Sequence, residues 1–191
     1  MTIHEPRPGV VAVVGSPRRN GNTVALVDAA LEELEARGCH CTKVLLDELR
    51  IESCDGHANC GELDACPHDD DMAALLEQVY SADGLILASP VYYENVSGQM
   101  KTFIDRNATR YFHGEWLTPK IVGLIAVAQE SAPDDTWAAM RRFITLSNPE
   151  EVPTMCMGGC ADKPGDAATD PGLMEEARAL GRSLAEQLKT D

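Results

Sequence analysis

A loop rich in hydrogen-bond donors follows the first apolar run of the chain, Val10 to Val14. Hydroxyl, amide and guanidinium side chains at the start of a helix can hold a phosphate together with free backbone N–H groups. The loop lacks both the three spaced glycines of dinucleotide-binding turns and the Gly-Lys-Ser/Thr ending of triphosphatase loops. It therefore predicts a site for a terminal monophosphate, although an ordinary capped strand–turn–helix junction would use similar residues. The candidate ligands are Ser16, Arg18, Asn22 and Thr23.

A second candidate segment follows another apolar run, Gly84 to Ala88. Pro90 fixes a backbone turn there, and Tyr92 and Tyr93 offer flat faces to an aromatic ring. Asn95 supplies both a donor and an acceptor for a polar ring edge. One of the two tyrosines can instead be a packing residue, because successive side chains of an extended segment point in opposite directions. The segment therefore predicts a wall for a planar aromatic ligand.

Three cysteines and a histidine crowd one further segment, at Cys54, His57, Cys60 and Cys66. Three thiolates and an imidazole can bind an iron-sulfur cluster or tetrahedral zinc. The cysteines can equally be small hydrophobic residues of a surface loop that binds nothing. The chain has seven cysteines, an odd number, which favours metal or redox chemistry over a disulfide framework in a reducing compartment.

The apolar pattern predicts five strands that alternate with five helices. Such alternation indicates an α/β fold in which a parallel sheet lies between two helical layers. With 191 residues, the chain is long enough for one domain but too short for a closed eight-stranded barrel, which needs about 250. Ligands of an open sheet bind beyond the carboxyl ends of its strands, where both candidate loops lie. The predicted strands span residues 10–14, 42–46, 84–88, 120–127 and 152–157, and the predicted helices span residues 22–37, 72–79, 96–104, 137–144 and 173–188.

The charge balance excludes two classes of partner. Sixteen Lys and Arg residues against 31 Asp and Glu residues give a net charge of −15, which repels nucleic acid and anionic membranes. No apolar run approaches the roughly 20 residues that a membrane-spanning helix needs. Residues Met1 to Gly9 lack the basic start and long apolar core of a signal peptide. We therefore expect a cytoplasmic protein.

Together, the first candidate loop and the segment Ser89 to Arg106 resemble the flavodoxin-like NAD(P)H-dependent FMN reductases, near the branch of the iron-sulfur flavoproteins. The resemblance covers nearly the whole chain. It implies a single flavodoxin-like FMN-binding domain over residues 1–191, with sheet order 2-1-3-4-5 and a cysteine-containing insertion at about 51–70. It also implies that Ser16, Arg18, Asn22 and Thr23 hold the FMN phosphate, and that the isoalloxazine ring lies along Pro90, Val91, Tyr92, Tyr93, Asn95 and Val96.

The iron-sulfur flavoproteins carry four cysteines in the insertion, at spacings of two, two and about five residues. This chain has that spacing with His57 in the second position. The exchange of one thiolate predicts weaker cluster binding, so the loop is expected to hold a cluster, zinc or nothing. After the fourth strand, residues 128–136 lack the glycines that similar proteins often have there, whereas Lys163 to Asp166 resemble the family's loop after the fifth strand.

The resemblance implies an FMN-dependent oxidoreductase. It would take a hydride from NADH or NADPH and pass electrons to a quinone, flavin, nitro compound or similar small acceptor. The flavin performs that chemistry, so no catalytic side chain is expected. The alternatives are an electron carrier that docks on basic proteins, which the acidic surface would suit, and a scaffold that has lost its cofactor. A homodimer or homotetramer with the ring near a subunit interface is also implied.

Overall fold

Five parallel strands form one sheet in the computed structural model, which describes residues 7–189. The strands lie in the order β2-β1-β3-β4-β5, and every neighbouring pair is parallel. The predicted fold class and strand order are therefore confirmed. The strands are β1 (Gly9–Val14), β2 (His40–Leu45), β3 (Gly84–Pro90), β4 (Ile121–Ala128) and β5 (Thr154–Cys160).

Seven α-helices and two short 3₁₀ segments, Leu46–Glu48 and Cys60–Glu62, lie between or after the described strands. Two of these helices were not predicted, because they have at most one buried residue each and so leave no apolar period in the sequence. No helix within residues 7–189 has the length and apolar content needed to cross a membrane. The helices are α1 (Asn22–Ala36), α2 (Met72–Tyr80), α3 (Gly98–Arg106), α4 (Ala108–Phe112), α5 (Asp134–Ser147), α6 (Asp166–Thr169) and α7 (Pro171–Gln187).

The sheet separates two apolar clusters. Alternate residues of β1 point to opposite faces, so Val10 and Val14 pack with α1 and α7, while Val11 and Val13 pack with α2, α3 and α5. Strand β4 is buried over its whole length. Burial on both faces explains why the central strands are continuous apolar runs in the sequence.

Several predicted boundaries differ from those of the structure, and three of them have a clear physical reason. Strand β2 begins at His40 rather than residue 42, because its pairing with β1 extends over polar residues that the apolar pattern does not mark. Strand β5 runs to Cys160 rather than residue 157, since Gly158 and Gly159 pair with β4 without apolar side chains. Helix α3 begins at Gly98, two residues later than predicted, because Ser97 caps it.

Candidate functional site

A cleft of about 160 Å³ lies at the carboxyl ends of β1, β3, β4 and β5. Loops that follow four different strands line it, as expected for a ligand site in an open parallel sheet. They are part of residues 16–23 after β1, Pro90 to Tyr92 at the end of β3, Val127 to Gln129 at the end of β4, and Ala161 with Asp162 after β5.

The first loop (residues 15–23) presents unused hydrogen-bond donors to this cleft. Helix α1 makes its first backbone bond from Ala25 N to Gly21 O (3.1 Å), so the N–H groups of Asn22, Thr23 and Val24 precede the helical ladder and are free for a ligand. Thr23 is 2% exposed, and its hydroxyl has no hydrogen-bond partner within residues 7–189. These donors suit an anion at the start of the helix.

Two adjacent arginines of the first loop differ in their partners. Arg19 Nε lies 3.1 Å from Glu48 Oε1 in an exposed ion pair. Arg18 lines the cleft, is exposed, and its guanidinium has no ion-pair partner in the described chain. Its backbone N–H donates to Ser16 Oγ (3.2 Å), which fixes the loop. Arg18 is therefore the cation available to a ligand in the cleft.

Asn22 departs from the role expected for it. Its side-chain amide donates to two backbone carbonyls and accepts from two backbone N–H groups, all in residues 161–167 after β5. A carboxamide has two N–H donors and two acceptor lone pairs, so those capacities are all used. This geometry therefore does not favour the predicted contact between the Asn22 side chain and the phosphate. The backbone N–H of Asn22 remains available to a ligand.

A buried serine network, which the sequence interpretation missed, holds the first loop against α3. Ser97 Oγ donates to Gly15 O (2.6 Å), and Ser97 N donates to Ser89 Oγ (2.9 Å). A Cβ at Gly15 would stand 2.7 Å from Ser97 Oγ and 2.8 Å from Met100 Cβ, so this close approach needs glycine. A polar residue at the end of the apolar strand β3, Ser89, was the available signal.

The segment after β3 forms a tight hairpin turn. Tyr92 N donates to Asn95 O (2.8 Å) and Asn95 N donates to Tyr92 O (3.1 Å), while Tyr93 and Glu94 between them both have positive φ. Two central residues with positive φ are typical of a type I′ turn. Non-glycine residues are uncommon in this conformation and cost free energy, a feature often found at functional sites.

This turn divides the residues predicted to contact the ring. Pro90, Val91 and Tyr92 line the cleft. Tyr93 is fully exposed at the tip of the turn, in keeping with the expectation that adjacent tyrosines point in different directions. Asn95 Oδ1 accepts from Val96 N (2.8 Å), and Val96 is buried in the core. Contacts from Tyr93, Asn95 and Val96 to a ligand stay predictions.

The four candidate metal ligands of the cysteine segment (residues 51–70) do not converge. Cys54 Sγ accepts from Gly56 N (3.4 Å), Cys60 Sγ donates to His57 O (3.3 Å), and Cys66 Sγ accepts from Arg106 Nη2 (3.4 Å). Within residues 7–189 no three His, Cys, Asp or Glu side chains form a group that could hold a metal ion. The arrangement therefore does not fit a cluster or tetrahedral zinc.

A buried ion pair closes the base of the cysteine segment. Arg106 donates to Asp70 Oδ2 (2.6 Å) and to Glu52 O (2.7 Å), so one side chain of α3 joins both ends of the segment. Burial alone would raise the pKa of Asp70, but hydrogen bonds from Arg106 and from the backbone N–H groups of Glu52 and Met72 lower that pKa to about 2. Asp70 is therefore charged at neutral pH.

Comparison with known proteins shows the family of this chain. The family model of NADPH-dependent FMN reductases matches residues 8–148. An iron-sulfur flavoprotein of Archaeoglobus fulgidus is 37% identical over 181 residues, which are 94% of this chain and 80% of that protein. Iron-sulfur flavoprotein MJ1083 of Methanocaldococcus jannaschii is 34% identical over 188 residues, which are 94% of this chain and 97% of that protein.

Solved structures support the fold independently. An NAD(P)H:quinone oxidoreductase from Methanothermobacter marburgensis superposes with a TM-score of 0.73 at 20% identity, covering 94% of this chain and 98% of the other. A flavodoxin from an archaeon superposes with a TM-score of 0.62 at 13% identity, covering 95% and 99%. From the family match and the two curated relatives, the chain belongs to the FMN reductase family of flavin-dependent oxidoreductases, in the branch of the iron-sulfur flavoproteins.

Proposed function

We propose that this protein binds FMN in the cleft and transfers electrons from NADH or NADPH to a small acceptor such as a quinone, flavin or nitro compound. The observation that carries the proposal is the set of unused donors at the start of α1, with the free Arg18 beside them. A terminal phosphate dianion matches these donors in charge and in hydrogen-bonding capacity. Family membership supports the flavin as the group that bears this phosphate.

The residues of the cleft would bind and orient the cofactor. When bound, FMN supplies the hydride and electron-transfer chemistry. Thr23 and the first N–H groups of α1 would hold the phosphate, and Pro90 to Tyr92 would form one wall for the ring. Asp162 and Gln129 are joined across the opposite rim by a hydrogen bond of 2.7 Å, which fixes that wall.

A second candidate function is that of an electron carrier between proteins. An exposed aromatic cluster is formed by Tyr111, Phe112 and Trp116. The ring centroid of Tyr111 lies 5.5 Å from that of Phe112 and 5.9 Å from that of Trp116. Phe112 Cβ lies close to Gly61, so the cluster borders the cysteine segment. Exposed aromatic residues on a chain of net charge −15 suit docking to a basic partner.

Anaerobic mixing separates the two functions. FMN-loaded protein is mixed with NADH or NADPH while the flavin absorbance is followed, and dithionite serves as the control that the flavin is reducible. The oxidoreductase predicts bleaching by at least one nucleotide. If neither nucleotide bleaches the flavin and a reduced electron-transfer protein does, the carrier function replaces it.

The proposal includes a cytoplasmic location and a homodimeric or homotetrameric assembly. All seven cysteines are free of disulfides, which fits the reducing cytoplasm predicted from the sequence. Tyr93, exposed at the rim of the cleft, is available to a second copy of the chain in the implied homodimer or homotetramer. Light scattering at several protein concentrations measures that assembly, and a monomer throughout would contradict it.

A further inference from the structure

The side chain of Asn22 joins two segments that are far apart in the sequence. Its Nδ2 donates to Lys163 O (2.9 Å) and Ala161 O (3.3 Å), and its Oδ1 accepts from Gly165 N (2.9 Å) and Ala167 N (3.2 Å). These four backbone groups belong to the fifth-strand loop, defined here as residues 161–167. Asn22 itself is the first residue of α1, next to the free donors of the cleft.

Besides Asn22, two bonds attach the start of the fifth-strand loop to the end of β4: Ala161 N donates to Ala128 O (2.8 Å), and Gln129 Nε2 donates to Asp162 Oδ1 (2.7 Å). The rest of the loop has few other anchors. Most of residues 161–170 are exposed, and Ala167 is the buried residue among them. Helix α6 has four residues, too few to be stable without tertiary contacts. Within the loop, Lys163 N donates to Asp166 Oδ2 (2.8 Å), which shapes the turn but does not attach it to α1. A segment with so little apolar burial is expected to open locally at low free-energy cost unless hydrogen bonds hold it.

We propose that Asn22 is a positioning residue that couples the fifth-strand loop to the cofactor site, so that flavin binding and the ordering of residues 161–170 favour each other. The inference rests on the proposed FMN site. Ala161 and Asp162 form one wall of the cleft, and the loop that carries them is held from the first turn of α1, where the phosphate would bind. A phosphate that restrains this turn also restrains Asn22 and hence the loop. By linkage, an ordered loop must then raise the affinity for the flavin by the same factor.

Two roles of the Asn22 side chain can be distinguished by experiment: coupling to the fifth-strand loop and direct contact with the phosphate. A direct ligand would affect flavin affinity without changing the fifth-strand loop of the apoprotein. A positioning residue changes the loop first, and any other variant that loosens the loop must also weaken flavin binding. Asp166→Ala provides that variant, because it removes the acceptor for Lys163 N without touching α1. On simple charge grounds the loss of an acidic group would favour phosphate binding, so weaker binding by Asp166→Ala would point to loop order.

The first measurement is hydrogen exchange in the apoprotein of wild type, Asn22→Ala and the matched control Asn20→Ala. Asn20 lies two residues away on the same loop, is exposed, and its side chain makes no hydrogen bond within residues 7–189. The reporters are Asp166 N and Asp170 N, which donate to Lys163 O and Ala167 O rather than to Asn22. We expect Asn22→Ala to speed their exchange about tenfold or more and Asn20→Ala to leave it unchanged. Unchanged exchange in Asn22→Ala would overturn the inference without touching the proposed function.

The second measurement repeats the exchange with FMN bound. We expect FMN to slow exchange at Asp166 and Asp170 in wild type and in Asn20→Ala, and to lose most of this effect in Asn22→Ala. We also expect Asp166→Ala to bind FMN several-fold more weakly. Equal FMN affinity in Asp166→Ala and wild type, or full protection of residues 161–170 by FMN in Asn22→Ala, would overturn the coupling. Failure of wild type to bind FMN at all would instead overturn the proposed function on which the coupling rests.

Discussion

The first loop and the cysteine segment both carry chemically reactive side chains, but only the first brings its groups together. Residues 15–23 join β1 directly to α1, so the strand and the helix fix the directions of Thr23, Arg18 and the free N–H groups. The cysteine segment contains one 3₁₀ turn, and its thiols bond to neighbouring backbone groups or to Arg106. Regular elements preorganise an anion site without its ligand, whereas the irregular chain of the cysteine segment does not bring its thiols together as a metal site.

The two regions also differ in how they are attached to the fold. The first loop is held through Gly15, where Ser97 approaches too closely for any side chain. The cysteine segment is held at its base by Arg106 and Asp70, while its middle remains exposed. The attachment of the segment is therefore a charge pair, and that of the loop is a close backbone contact.

The largest expected effect is at the base of the cysteine segment. Arg106→Leu leaves the buried Asp70 carboxylate without its partner, and we expect a loss of about 3–5 kcal/mol in the free energy of unfolding. Lys101→Ala on the same helix breaks the exposed pair with Asp105, and we expect at most about 0.5 kcal/mol. Urea denaturation measures both. Equal losses in the two variants would show that the Arg106–Asp70 ion pair does not attach the segment.

Protonation of Asp70 in the same ion pair gives the next effect. Because the pKa of Asp70 is lowered from 3.8 to about 2 in the folded protein, its ionisation adds stability above pH 4, and this is lost as pH falls from about 4 to 2. The contribution is about 2 kcal/mol. Unfolding free energies of wild type and Asp70→Asn should therefore converge by about that amount over this range. A constant difference between the two proteins would contradict the ion pair.

At the first loop we expect a smaller loss than that of Arg106→Leu. Gly15→Ala forces a Cβ against Ser97 Oγ and Met100 Cβ, at a cost of about 1–3 kcal/mol in unfolding free energy. Gly98→Ala is the matched control, because a Cβ there meets nothing within 4 Å, and we expect no loss or a slight gain. Thermal unfolding compares the two variants. If Gly15→Ala loses no stability, the backbone at Gly15 does not need the space that the close contact implies.

Features with a local sequence pattern could be predicted, whereas contacts between distant segments could not. Strands β1, β3 and β4 were predicted because burial on both faces makes them continuous apolar runs. The position of Arg18 and Thr23 at the cleft could be predicted because a strand–helix junction is a local feature. The role of Asn22 was missed, since its partners lie about 140 residues away and leave no local pattern. The cysteine spacing likewise predicted a possible metal site, but no group of three potential metal ligands forms within residues 7–189.

The smallest expected effect concerns metal uptake by the cysteine segment. We expect air-purified protein to hold no stable four-iron cluster, because an exposed loop with one weaker ligand loses iron on oxidation. His57→Cys restores the fourth thiolate, so anaerobic reconstitution should give a longer-lived brown species than wild type. Iron, sulfide and zinc analysis checks this. Stoichiometric iron and sulfide in untreated wild type would make His57 a cluster ligand, and stoichiometric zinc would make the segment a structural zinc site.

The central claim, that the first loop holds the phosphate of FMN, is tested most directly by titrating apoprotein with FMN and with riboflavin. We expect clear preference for FMN, and we expect Arg18→Ala to weaken FMN binding by about 1.5–3 kcal/mol, or about 10- to 150-fold, without changing riboflavin binding. Arg19→Ala is the control, since Arg19 is paired with Glu48 beside the same loop. Equal affinity of wild type for FMN and riboflavin would contradict the claim.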